Sequence, residues 1–169
     1  VLLDAVLYDG WAANDIDEAV SLRNIGSSAV NLTGWKLNGK LLPANIILPP
    51  GESIWLTKNA AAFTQQFGFA PDGVLPSWPG FTNTGDEVLL ANDQAQIVDV
   101  LVYESGNTSQ AGWAGTAVQP FTVAGQDGQI LYRQRHQTTG QIVPDTNTAA
   151  DWAQSRTDVI NGRKVRYPG

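Results

Sequence analysis

The chain opens on an apolar run, Val1-Leu2-Leu3-Asp4-Ala5-Val6-Leu7-Tyr8, that stops at the turn residues Asp9-Gly10. From there to residue 103, short strand signals dominate. In Ala19-Val20-Ser21-Leu22-Arg23-Asn24 the alternation puts Val20 and Leu22 on one face. Val30 and Leu32 alternate next and run into Thr33-Gly34-Trp35. Trp35-Lys36-Leu37 and Lys40-Leu41-Leu42 flank Asn38-Gly39, a strong hairpin signal because a type I′ turn needs φ > 0 at both central positions. Ile46-Ile47-Leu48 is halted by Pro49-Pro50-Gly51, and Ser53-Ile54-Trp55-Leu56-Thr57 alternates again. Residues 87–91 and 97–103 read as a hairpin over 92–96. The one helical pattern covers 60–67, with Asn59 as N-cap, Phe63 and Phe67 on one face, and Gly68 past the end.

Eight or so short strands with frequent turns form the pattern of an all-β chain, an antiparallel sandwich or barrel. The inward positions are expected to be Val20, Leu22, Leu32, Trp35, Leu37, Ile54, Leu56, Leu89, Val98 and Val100. Residues 1–103 form the expected core. Residues 104–129, rich in Gly, Ser, Thr and Gln, read as a long loop, and 130–169 as one short strand, Ile130-Leu131-Tyr132-Arg133, and an irregular tail. The tail is expected to pack on the same single domain, anchored by Trp152 and Tyr167, with Arg133 or Arg166 near a carboxylate.

Composition narrows the chemistry. At 169 residues, 43% of them hydrophobic and 15% charged, the chain can bury one ordinary core and is neither disordered nor a coiled coil. No apolar run reaches the length of a membrane span. Zero Cys removes disulfides, thiolate nucleophiles and zinc-finger sites, and the single His136 removes a multi-histidine metal centre. The absence of Met implies a processed product or a piece of a longer protein. Residues 1–129 hold 13 acids and 4 bases, whereas 130–169 hold 3 acids and 6 bases. An acidic body argues against wrapping nucleic acid, and the basic tail has an electrostatic partner in that body.

The series Asn24-Ile25-Gly26, Val30-Asn31-Leu32-Thr33-Gly34-Trp35 and Leu48-Pro49-Pro50-Gly51 comes in a telling order. It continues with Phe81-Thr82-Asn83-Thr84-Gly85-Asp86-Glu87-Val88-Leu89-Leu90, then Asp99 and Tyr103. This ordered set resembles the lamin tail domain family over residues 1–103, and Asp145–Trp152 is similar to a closing segment of its bacterial members. The resemblance implies an immunoglobulin-like β-sandwich without the inter-sheet disulfide. It further implies a non-catalytic binding or spacer module of a larger exported bacterial protein, extracellular or at the cell surface. Such copies often sit beside nucleases or phospholipase D-like phosphoesterases, so the implied partners are other domains of the parent protein or a surface partner.

Candidate sites are few. A hydrolytic triad would need His136 beside a nucleophile and a carboxylate, yet no G-x-S-x-G elbow is present. A phospholipase D-type H-x-K-x-x-x-x-D motif is absent, since His136 is followed by Gln137-Thr138. No catalytic residue and no organic cofactor are therefore assigned. Asp9, Asn14, Asp15, Asp17 and Glu18 crowd one loop, and calcium takes oxygen ligands from flexible loops. The spacing does not match an EF-hand, and a solvated acidic loop is the plainer reading. Asp145 with Asn147 is a second, weaker pair. Trp11, Trp78 and Trp113 lie in loops beside Gly or Pro or in turn sequence; each pins its loop to the sandwich, or together they offer a platform for a sugar ring. The rival classes are thus a carbohydrate-binding or adhesion module and, behind it, a phosphoesterase. Arg163-Lys164-Val165-Arg166 reads as tail-to-body docking rather than phosphate binding.

Overall fold

A computed structural model describes residues 1–120, 127–136 and 138–153. Tyr167, Arg166 and the basic cluster at 163–166 lie outside the described residues. The strands are β1 (Leu2–Leu7), β2 (Ala19–Arg23), β3 (Val30–Asn31), β4 (Lys36–Leu37), β5 (Lys40–Leu41), β6 (Ile47–Leu48) and β7 (Ser53–Thr57). The helix α1 (Ala60–Phe67) follows, then β8 (Gly73–Val74), β9 (Gly85–Ala91), β10 (Ile97–Glu104) and β11 (Leu131–Tyr132). One sheet has the order β11-β1-β2-β7-β8, a second β10-β9-β4-β5, and β3-β6 form a small ribbon. Leu3, Val6, Val20, Leu22 and Leu56 of the first sheet and Leu37, Val88, Leu90 and Val102 of the second belong to one buried core. The fold is an immunoglobulin-like β-sandwich, antiparallel except at β7 and β8, which pair in parallel.

Local chemistry explains the turns. Asn38 and Gly39 sit at φ 44° and 75°, as a type I′ hairpin requires. The Asn38 side chain extends the pairing of β4 with β9: its Nδ2 donates to the Glu87 carbonyl, and its Oδ1 accepts from the Leu89 N–H. Gly34 holds φ 85°, and a Cβ there would also lie 3.2 Å from the Asp93 side chain. In α1, Asn59 Oδ1 accepts the Ala62 N–H, and Gly68 at φ 81° donates to the Thr64 carbonyl.

Both faces of the first sheet are covered, which is why β1 is buried at every position. Its inner face meets the second sheet. Its outer face forms a smaller core of Ala5, Leu7, Ala19, Ile130 and Tyr132 beneath Phe63 and Phe67 of α1. Trp55 points to this side rather than into the sandwich; it is half-buried and lies 5.1 Å from the Phe67 ring.

Three expected core residues differ. Trp35, Leu89 and Val98 are half-buried and pack against the core from its margin, while Val88 and Leu90 take the inward places. Residues 88–91 are apolar on both faces, so alternation alone does not choose the inner one. In β10 a register shift between Ile97 and Asp99 disturbs the alternation, and Val100 through Tyr103 are all buried. The segment after β10 is no plain loop: Val118 donates to the Val102 carbonyl and accepts from the Glu104 N–H, capping the outer edge of β10.

Candidate functional site

Buried charged side chains gather at two places. The first is the acidic loop. All five candidate calcium residues fall in it, but their oxygens face protein donors. Asp17 accepts the Trp11 and Ala12 N–H groups at 3.0 Å each, and Asp15 accepts the Gly10 N–H at 3.1 Å. Gly10 is required because a Cβ there would lie 2.2 Å from Asp17 Oδ1. Asn83 donates to Asp9 at 2.8 Å and to Asp15 at 3.2 Å. Asn14, at φ 62°, gives its backbone carbonyl to Lys58 Nζ.

Lys58 also pairs with Glu18 at 3.2 Å. Burial raises the Glu18 carboxyl to about 7, against the pull of Lys58. The Trp78 indole N–H faces the same carboxylate without closing a well-formed hydrogen bond. Beside the loop, Tyr8 donates its hydroxyl to Glu104 and packs its ring against Tyr103, tilted by 35° with ring centres 4.2 Å apart. Burial pushes both phenols up. Among the described residues, no three His, Cys, Asp or Glu side chains converge as a metal site. The sequence pattern pointed to the carboxylates and missed Tyr8, Lys58 and Asn83, whose places depend on how three separate loops meet.

The second place is the seam where β10 of one sheet meets β1 of the other. Asp99 and Arg133 are fully buried and paired at 2.6 Å. Asp99 accepts the Leu3 N–H at 2.7 Å, and Arg133 Nε donates to the Leu3 carbonyl at 2.7 Å. The ion pair thus supplies both backbone partners that a neighbouring strand would give Leu3. Leu3 stands at a register shift of β1, where Asp4 is extra. Asp4 is taken up by Arg135, which donates to both carboxylate oxygens at 3.0 Å. Arg133 further donates to Asp145 at 3.2 Å and lies 5.0 Å from the Trp152 ring centre. Asp145 in turn accepts the Asn147 N–H, so the weaker calcium pair is an Asx turn. Asp151 and Thr148 close a capping box that holds Trp152 in place, 1% exposed. Burial lifts Asp99 to about 6, with Arg133 opposing.

The model of one family, the Lamin Tail Domain, matches residues 1–105. The chain belongs to the lamin tail domain family. Searches of curated proteins and of solved structures returned no match. The family is one of non-enzymatic immunoglobulin-like domains. In this lamin tail domain, Asp99 falls inside the matched span, whereas Arg133, Asp145 and Trp152 lie beyond it.

The remaining candidates sit apart from one another. His136 is exposed, with its backbone turned into a tight loop through Gln141 and Gly140. Of the three loop tryptophans, Trp113 is buried and Trp78 is half-buried with its ring edge-on to Phe81; Trp11 is exposed. They form no shared platform. An open groove of about 580 Å³ lies between the end of β2 and residues 139–145; Arg23 and Arg135 line it and His136 does not.

Proposed function

We propose that this lamin tail domain is a non-catalytic binding or spacer module of a larger exported bacterial protein, placed beside a nuclease or a phospholipase D-like phosphoesterase. One observation carries the non-catalytic reading: the buried acid and base groups are consumed in structure. Asp99 and Arg133 hold Leu3, Asp17 holds backbone amides, and Glu18 holds Lys58. His136 has no carboxylate of this kind beside it among the described contacts and stands outside the groove. A general acid or base must reach substrate, and these side chains are turned to protein donors instead. Placement in an exported parent, with partners among its other domains or on the cell surface, follows the family resemblance. The dispersed loop tryptophans favour this module over a sugar-stacking one.

The test is direct. The purified chain should show no turnover of bis-p-nitrophenyl phosphate, p-nitrophenyl esters or p-nitrophenyl glycosides above background. A sustained rate that disappears in His136→Ala would overturn the reading. The parent open reading frame, read for a signal peptide and a neighbouring catalytic domain, tests the compartment and context.

A further inference from the structure

The groove beside Arg23 has a character unlike the rest of this acidic molecule. Alternation along β2 puts Ala19, Ser21 and Arg23 on the outer face of the first sheet, and α1 covers that face over Ala19. At Arg23 the helix no longer covers the sheet. The segment 139–145 stands opposite, leaving the open groove.

Three arginines gather on this side, and two are neutralised. Arg133 is shared by Asp99 and Asp145, and Arg135 is held by Asp4 and the Gly140 carbonyl. Arg23, half-buried, donates to Ser53 Oγ at 3.1 Å and, among the described residues, has no carboxylate within ion-pair distance. A guanidinium carries five N–H donors in a fixed fork, so most of its capacity faces the groove or water.

We propose that this groove docks an extended peptide segment of a partner protein through one Asp or Glu carboxylate set on Arg23. The charge is limited to one by Asp145, which lines the same groove and repels a dianion such as a phosphate ester. A lone exposed ion pair contributes little, so the walls must add contact. They are suited to it: Ile25 is 54% exposed at one lip, and Ile142 and Pro144 form the other. The matching ligand is a carboxylate flanked by apolar side chains. The volume falls in the range of sites that enclose small ligands.

This inference rests on the reading of the chain as a binding module, and the two fail separately. Turnover would undo that reading through the activity assay, while the groove is tested by binding alone. The probe is the capped peptide acetyl-Gly-Val-Glu-Val-Gly-amide, titrated into the 15N-labelled whole chain. Amide shifts are expected at Ile25, Gly26 and residues 139–143, with binding about threefold weaker for the Gln analogue of the probe and for Arg23→Gln. Lys40→Gln should bind as the parent does. No shifts at millimolar peptide, shifts centred elsewhere, or equal binding of the Glu and Gln probes would each overturn the proposal. The Gln probe needs no variant protein, so misfolding of Arg23→Gln cannot shield it.

Discussion

The acidic loop buries Asp17 with donors five and six residues away. The seam buries Asp99 with a donor 96 residues before it and another 34 residues after it. Both carboxylates are saturated, yet they do different work. Asp17 shapes one loop that is already tethered at both ends. Asp99 and Arg133 join the two sheets and the C-terminal segment at a single point. Local burial fixes a loop's shape, whereas long-range burial fixes the fold's closure, and the energetic stakes follow that difference.

The comparison breaks most sharply at Arg133. Arg133→Ala leaves Asp99 buried and unpaired, and urea unfolding should register a loss of about 3–5 kcal/mol. Replacing both partners, Asp99→Leu with Arg133→Met, often restores stability when an ion pair only fills space. Here it should not, because the Leu3 N–H and carbonyl are orphaned, at roughly 1–3 kcal/mol each. A double variant as stable as the parent would show that the pair is ordinary. Asp17→Ala should cost less, about 2 kcal/mol, since water can reach a loosened loop. Its urea midpoint, like the parent's, should not move with millimolar calcium. Gly34→Ala should cost about 1 kcal/mol or more, from the left-handed backbone and the contact with Asp93; an unchanged midpoint would mark that turn as ordinary.

A change of pH reaches both regions at once. Asp99 at about 6 and Glu18 at about 7 both stand above their ordinary values of 3.8 and 4.5. Each folded carboxyl holds its proton more tightly than the unfolded chain does. Their contribution is therefore complete below about pH 4 and is lost as pH rises through 6 to 7. The urea midpoint should fall between pH 5 and 8, and Glu18→Gln should flatten part of that slope. A midpoint rising over the same range would mean both groups are ionised at little cost.

The helix, the Asn38-Gly39 hairpin and the strand series were legible because their signals are local: a cap, a pair of φ > 0 residues, a period of two. The inner face of β9 was not, since Val88, Leu89 and Leu90 are equally apolar. The parallel contact of β8 was hidden in two residues, Gly73-Val74, with no period to read. The importance of Trp152 and of Arg133 was visible as an apolar anchor and excess charge in an otherwise polar tail. That Arg133 would reach Leu3 was not, because no local pattern encodes a partner 130 residues away.

That separation has a consequence in time. A ribosome adding ~5–20 residues per second needs roughly ten seconds between releasing Leu3 and releasing Arg133. Throughout that interval β1 can pair with β2 but its other edge stays bare, an invitation to chaperones or to a neighbouring nascent strand. A chain cut anywhere in that stretch would carry the bare edge permanently, so truncations ending near residue 105 should be recovered as aggregates even though every strand of the second sheet is present.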